Sequence, residues 1–103
     1  MFDDFTTLSA NIYKLFFFNL IMKKQWCVYI LECEDGSFYT GVTNNVDARM
    51  DAHATGKGSK YVYKKGFKKL LKTKQCKDKS DACKCEYAIK KLPRNEKLSW
   101  FSE

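Results

Sequence analysis

Apolar and polar positions change period several times along the chain, and each change marks an element. From Trp26 to Glu32 the side chains alternate, with Trp26, Val28 and Ile30 on one face and Cys27, Tyr29 and Leu31 on the other. Both faces are apolar, which is the pattern of a strand covered on two sides. Glu34-Asp35-Gly36-Ser37 is turn chemistry, and Phe38 to Val42 is again β-branched and aromatic, so a β-hairpin is predicted. Asn44 and Asn45 are two N-cap candidates for a short helix over Val46–Thr55, with Gly56 as its C′ residue. Gly56 to Ser59 reads as a loop, and Phe67 to Cys76 as a third strand among lysines. Asp78 then caps a helix running to Leu92, with Ala82, Cys85, Glu86 and Ile89 on one stripe. Leu92-Pro93 restarts the chain into a final turn or helix ending in Trp100 and Phe101. The order β-β-α-β-α-α predicts an α+β fold, a small antiparallel sheet covered by helices.

Length and charge narrow this picture. A chain of 103 residues supports one core, and 45% hydrophobic with 16% aromatic content excludes wholesale disorder. Nineteen Lys and Arg against twelve Asp and Glu give a net charge of +7, which points to a polyanionic partner. The charge is uneven: residues 1–21 hold one Lys and two Asp, so the basic excess lies wholly in 22–103. Met22-Lys23-Lys24 reads as a natural start. Residues 1–21 are therefore expected to be a dispensable extension, and 22–103 the functional domain. The apolar run Leu15 to Met22 is broken by Asn19, follows Asp3 and Asp4, and falls well short of the ~20 residues of a membrane span. Neither predicted helix pairs a Lys-rich face with a broad Phe/Trp/Leu face, so no membrane partner is expected. Five cysteines form an odd set without a metal-knuckle repeat, which reads as reduced thiols in a cytoplasmic protein.

Four features carry candidate chemistry. Glu86 stands inside an apolar stripe, where a carboxylate is costly unless paired, hydrogen-bonded or metal-bound. Arg49 and His53, at i and i+4, share one helical face and can grip one anion. His53 is the only histidine, which excludes a zinc site built on several. Tyr29 and Tyr39 stand ten residues apart across the hairpin. Residues 57–79 contain ten Lys and one acid, Asp78, interleaved with Tyr61, Tyr63 and Phe67. Lysines pair with phosphates and aromatics stack on bases, so Lys57, Lys60, Tyr61, Lys64, Lys65, Lys68 and Lys69 are the nucleic-acid-binding candidates.

Val28-Tyr29-Ile30, Tyr39-Thr40-Gly41, Arg49, His53 and Glu86, in that order and spacing, resemble the GIY-YIG nuclease superfamily. The likeness runs from about Lys23 to Leu98. The phrases Tyr29-Ile30-Leu31-Glu32-Cys33 and Asp35 through Asn44 look like its small stand-alone bacterial branch, similar to the N-terminal domain of the UvrC excision nucleases. The resemblance implies a three-stranded antiparallel sheet flanked by helices and metal-dependent endonuclease cleavage of phosphodiesters. The expected cofactor is one Mg²⁺ or Mn²⁺ ion and the expected partner nucleic acid, DNA favoured over RNA; the oligomeric state is left open, with a monomer favoured. By the same match Tyr29, Tyr39, Arg49, His53 and Glu86 are catalytic, with Glu86 the metal ligand, and Gly41 and Asn44 are structural at the site. Val42 stands where the excision nucleases carry a lysine, Val62-Tyr63 where a Thr-Arg pair is expected, and Cys85 where a basic residue often precedes the glutamate.

The residue types suit that chemistry. Arg49 can meet the phosphoryl oxygens through its planar donor fork. Glu86 offers a hard oxygen ligand. Tyr29 is the expected base, assisted by His53, and it acts as phenolate only if neighbouring positive charge lowers its ordinary value of ~10.

Both tyrosines can serve one phosphate only if the hairpin has the right parity. A two-residue turn would pair Tyr39 with Glu32 and send the phenols to opposite faces. A three-residue loop, Glu34-Asp35-Gly36, pairs Cys33 with Ser37, Leu31 with Tyr39 and Tyr29 with Gly41, so the odd-numbered residues share a face. Gly36 suits the left-handed position at the end of such a loop. The expectation is an odd loop, both phenols on the face that also meets Arg49, His53 and Glu86, and an open slot over Gly41.

Overall fold

In the computed structural model, which describes residues 25–102, strand β1 (Cys27–Cys33) is the middle of three. β2 (Phe38–Thr43) and β3 (Phe67–Gln75) flank it, both antiparallel, in the order β2-β1-β3. The extension expected over 1–21 lies outside the described residues. The central position accounts for the two-sided apolar pattern of β1, in which every residue but Glu32 is buried. The hairpin closes as its parity requires. Cys33 N–H donates to Ser37 O at 2.8 Å, Gly36 N–H donates to Cys33 O at 2.9 Å, and Gly36 takes φ +84°. The register pairs Leu31 with Tyr39 and Tyr29 with Gly41.

Helix α1 (Val46–Ala54) is capped by Asn45, whose Oδ1 accepts from Ala48 N–H at 3.2 Å. Asn44, the other cap candidate, is exposed. Gly56, at φ +80°, turns the chain out of the helix. Between the expected loop and the third strand, where no element was predicted, lies a further short helix, α2 (Lys60–Lys65). Ser59 Oγ accepts from Val62 N–H at 3.1 Å to start it, and Gly66 ends it. It adds a turn and a half to the predicted order without changing the α+β architecture. α3 (Lys79–Lys90) begins, as expected, at Asp78, whose Oδ1 accepts from Asp81 N–H at 2.8 Å. α4 (Arg94–Lys97) and a 3₁₀ turn (Ser99–Ser102) complete the described chain.

The sheet separates two cores. On one face Tyr29, Leu31 and Cys33 pack with Val62 of α2, joined by Tyr39, Met50, Phe67 and Leu70. On the other, Val28 packs with Cys76 and with Ala82 and Ile89 of α3, joined by Trp26, Val42, Cys85, Trp100 and Phe101. Burying a side chain such as Ile89 contributes about 1.5–3 kcal/mol. The outer strand β3 exposes Lys68, Lys69, Lys72 and Lys74 and is broken by register shifts, both of which oppose edge-to-edge pairing. All five cysteines are free thiols: Cys27, Cys33 and Cys76 are buried, Cys85 is half-buried and Cys83 is exposed.

Candidate active site

The parity of the hairpin brings Tyr29 and Tyr39 to one face, with ring centroids 6.3 Å apart. Tyr29 lies across its partner strand: a Cβ on Gly41 would stand 2.5 Å from Tyr29 Oη and 2.6 Å from Cζ. The slot expected over Gly41 is therefore not open. It is filled by the phenol itself, and the glycine is there to let the ring through. The hydroxyl ends 2.8 Å from His53 Nε2, a buried hydrogen bond between β1 and the last turn of α1. His53 is 2% exposed and also faces the Tyr39 ring at 5.5 Å.

Two residues that fix His53 were not foreseen. Gly58 closes the backbone so tightly over the imidazole that a Cβ there would run into Nδ1. Phe67 of β3 stacks on the ring, 6.3 Å between centroids and 17° between planes. The Gly56-Lys57-Gly58 spacing was the only sequence signal for the first.

The charge balance differs from the expectation for Tyr29. Burial pushes its phenol up to about 12, outweighing the nearby Arg49 guanidinium, with smaller upward contributions from Tyr39 and Glu86. The anticipated phenolate is thus disfavoured in the free protein, because desolvation costs more than one arginine returns. His53 is pushed below its ordinary value by burial and then by the Arg49 charge. At neutral pH the pair is therefore a phenol bonded to a neutral imidazole. Among the described residues, Arg49 Nε and His53 Nδ1 are the buried side-chain nitrogens and oxygens left without a partner. Such atoms cost free energy unless something arrives to bond them.

Glu86 is placed differently from the tyrosines. It is carried by α3, whose apolar stripe covers the opposite face of the sheet, and its carboxylate pairs with Lys90 at 3.6 Å. No hydrogen bond links it to Tyr29, Tyr39, Arg49 or His53, although its charge is felt at Tyr29. Tyr29, Tyr39 and His53 are in direct contact and Arg49 stands beside Tyr29, whereas Glu86 reaches the group through its charge at Tyr29.

Of the basic segment, Lys57, Lys60, Lys64 and Lys69 are exposed. Lys65 pairs with Asp35 at 3.1 Å and Lys68 with Glu32 at 3.8 Å, so these two are engaged. Exposed pairs of this kind are weak enough to exchange for a phosphate. Tyr61 stacks on Tyr39 at 5.8 Å and 27° while remaining 42% exposed, which continues the aromatic array from the buried hydroxyl to the surface.

Fold and site together define a known class: residues 25–99 match the family model for the GIY-YIG catalytic domain, and the chain belongs to that family. Members of the family are endonucleases that act on nucleic acids and generally use a divalent metal. Within it, the chain is similar to small bacterial proteins. It is 51% identical over 77 residues to the UPF0213 protein OB0043 of Oceanobacillus iheyensis, covering 75% of this chain and 90% of that one. It is 49% identical over 70 residues to the UPF0213 protein BH0048 of Halalkalibacterium halodurans, covering 68% and 74%. The solution NMR structure of the UPF0213 protein BH0048 from Bacillus halodurans matches with a TM-score of 0.48 at 45% identity, covering 76% and 83%.

The donor set limits how a metal could be held. Among the described residues no three His, Cys, Asp or Glu side chains come together as a cage. That fits a hard ion that keeps most of its waters on a single carboxylate, the habit of Mg²⁺, and does not fit a structural zinc. Glu86 is half-buried and tied only by its pair with Lys90, so it is free to take that part.

Proposed function

We propose that this protein is a divalent-metal-dependent endonuclease that hydrolyses nucleic-acid phosphodiester bonds, with DNA the favoured substrate. The observation that carries the reading is the buried Tyr29–His53 hydrogen bond at 2.8 Å beside a half-buried Arg49 whose Nε is buried without a partner. It sets a proton path beside an unpaired anion-binding donor. Glu86 is the residue that would hold Mg²⁺ or Mn²⁺, which when bound supplies charge neutralisation at the leaving oxygen.

The chain's own groups account for the rest. Arg49 offers its unpaired donor to the phosphoryl oxygens, where charge builds in the transition state. Tyr29, protonated at rest, takes a proton from the attacking water as it passes its own to His53 Nε2. With Nε2 as acceptor, the resting imidazole carries its proton on Nδ1, against Gly58. A protonated His53 beside Arg49 is unfavourable in the free protein. The arriving phosphodiester supplies the missing negative charge, which couples proton transfer to substrate binding. Lys57, Lys60, Lys64 and Lys69 hold the flanking backbone through phosphates, and Tyr61 presents an aromatic surface beside Tyr39.

A second reading, a nucleic-acid-binding module with a vestigial or very slow site, is favoured by the Tyr29 value of about 12 and by Val42 in place of a lysine. Incubation with single-stranded, duplex and branched DNA and the matching RNAs, with Mg²⁺ or Mn²⁺, separates the two. Cleavage that needs the metal and disappears in Glu86→Ala supports the endonuclease. Tight binding without cleavage in either protein supports the module.

A further inference from the structure

We propose that the exposed face of α3 formed by Lys84, Tyr87 and Lys91 is a second nucleic-acid surface, which takes an unpaired strand leaving the site on the Glu86 side. The inference rests on the nucleic acid of the reading above. It concerns residues outside the lysine-rich segment to which binding was first assigned.

Three observations converge on that face. At about 100° per residue, Lys84, Tyr87 and Lys91 fall within an arc of about 60°, turned away from the buried Ala82 and Ile89. Glu86, the residue that would hold the metal, lies between that arc and the buried stripe, so the Tyr87 face borders it. The stretch from Cys83 to Lys91 contains no acid other than Glu86, so nothing on the face repels a phosphate.

The second observation is the exposure of the aromatic. Among the described residues the exposed large hydrophobic side chains are Tyr61, Tyr63 and Tyr87, at 42%, 71% and 64%. All are tyrosines in lysine-rich surroundings. An aromatic left in water beside cations gains by taking a base on its ring, and the cation takes the attached phosphate.

The third is that the same two-residue device occurs on two helices. On α2, Lys65 Nζ lies 5.5 Å from the ring centroid of Tyr61. On α3, Lys91 Nζ lies 4.2 Å from that of Tyr87. Both are Tyr–Lys pairs at i and i+4. One of them, Tyr61, stacks on Tyr39 of the candidate site. The unit on α3 is its counterpart beside Glu86. Stacking requires a base free of its neighbours, so Tyr87 selects an unpaired strand, whereas Lys84 and Lys91 act on any phosphate backbone.

The test is equilibrium binding of a fluorescent single-stranded oligonucleotide and of its duplex, in EDTA so that cleavage does not intervene. Wild type is compared with Tyr87→Ala and with Lys84→Gln/Lys91→Gln, each checked by circular dichroism. Tyr87→Ala is expected to weaken single-strand binding about 5- to 160-fold, the range for loss of one base–aromatic stack, and to leave the duplex nearly unchanged. The double lysine variant is expected to weaken both and to lower the single-strand salt slope by about 1.4. Wild-type affinity in both variants, or an equal loss on single strand and duplex in Tyr87→Ala, overturns the proposal and leaves the nuclease reading standing. If wild type binds neither probe, the nucleic-acid reading itself falls.

Discussion

Val28 and Tyr29 are neighbours on one strand, both fully buried, yet they belong to surroundings of opposite character. Val28 faces Cys76, Ala82 and Ile89, an apolar layer that contains no orphaned polar atom among the described residues. Tyr29 faces His53 and Arg49, and both buried side-chain atoms without a partner lie there. Both layers are packed, but among the described residues the α1 side alone carries unsatisfied buried atoms, at a cost the packing must offset. The difference also explains why a strand apolar on both faces was needed. Only a β1 anchored from behind can hold a phenol and an imidazole in a desolvated pocket.

The comparison is broken most sharply by Tyr29→Phe. Loss of the hydroxyl should lower cleavage about 10²- to 10⁴-fold while the urea midpoint moves modestly, since a single buried hydrogen bond is lost. Unchanged initial rates would show that Tyr29 is only packing. The converse substitution is Ile89→Ala on the other face. It should cost about 2–5 kcal/mol in urea unfolding and leave the rate per folded molecule unaltered. A parallel drop in rate would mean that the two faces are not separable. Gly41→Ala joins both effects, because the new methyl group collides with Tyr29 Oη and Cζ. It should destabilise by about 1–3 kcal/mol and also lower cleavage, read from the same pair of assays.

The smallest effect is the pH dependence of stability. Burial holds His53 below its ordinary 6.5, so the unfolded chain binds this proton more readily than the folded one. The His53 contribution is complete above about 6.5 and is lost as the pH falls through that value toward its depressed folded one. Urea midpoints at pH 7.5 and 5.5 should therefore differ more for wild type than for His53→Gln. Equal differences would show that His53 is not the group responsible.

The hairpin and its register were legible because they depend on local chemistry: Gly36 permits the left-handed turn, and side-chain alternation then dictates which residues share a face. The N-cap of α3 was legible for the same reason. α2 was not, since only Val62 of its six residues is buried and no apolar period could reveal it. The group Tyr29, Tyr39, Arg49 and His53 could be assembled from spacing. Three features depend on packing that one-dimensional pattern does not contain. They are the side of the sheet covered by the helix bearing Glu86, the filling of the Gly41 slot by a phenol, and the rise of Tyr29 to about 12 against the pull of Arg49.

The distribution of the thiols has a practical consequence. Cys27, Cys33 and Cys76 are buried and hold their protons more firmly than ordinary thiols, and Cys85 is half-buried beneath α3. A mild alkylating dye should therefore react first at Cys83, the one exposed sulfur. Cys83 stands one helical turn before Tyr87, so a label placed there senses events on the outer surface of α3 without entering either core. The native chain thus carries its own attachment point for a fluorescent reporter, with no cysteine to be added or removed.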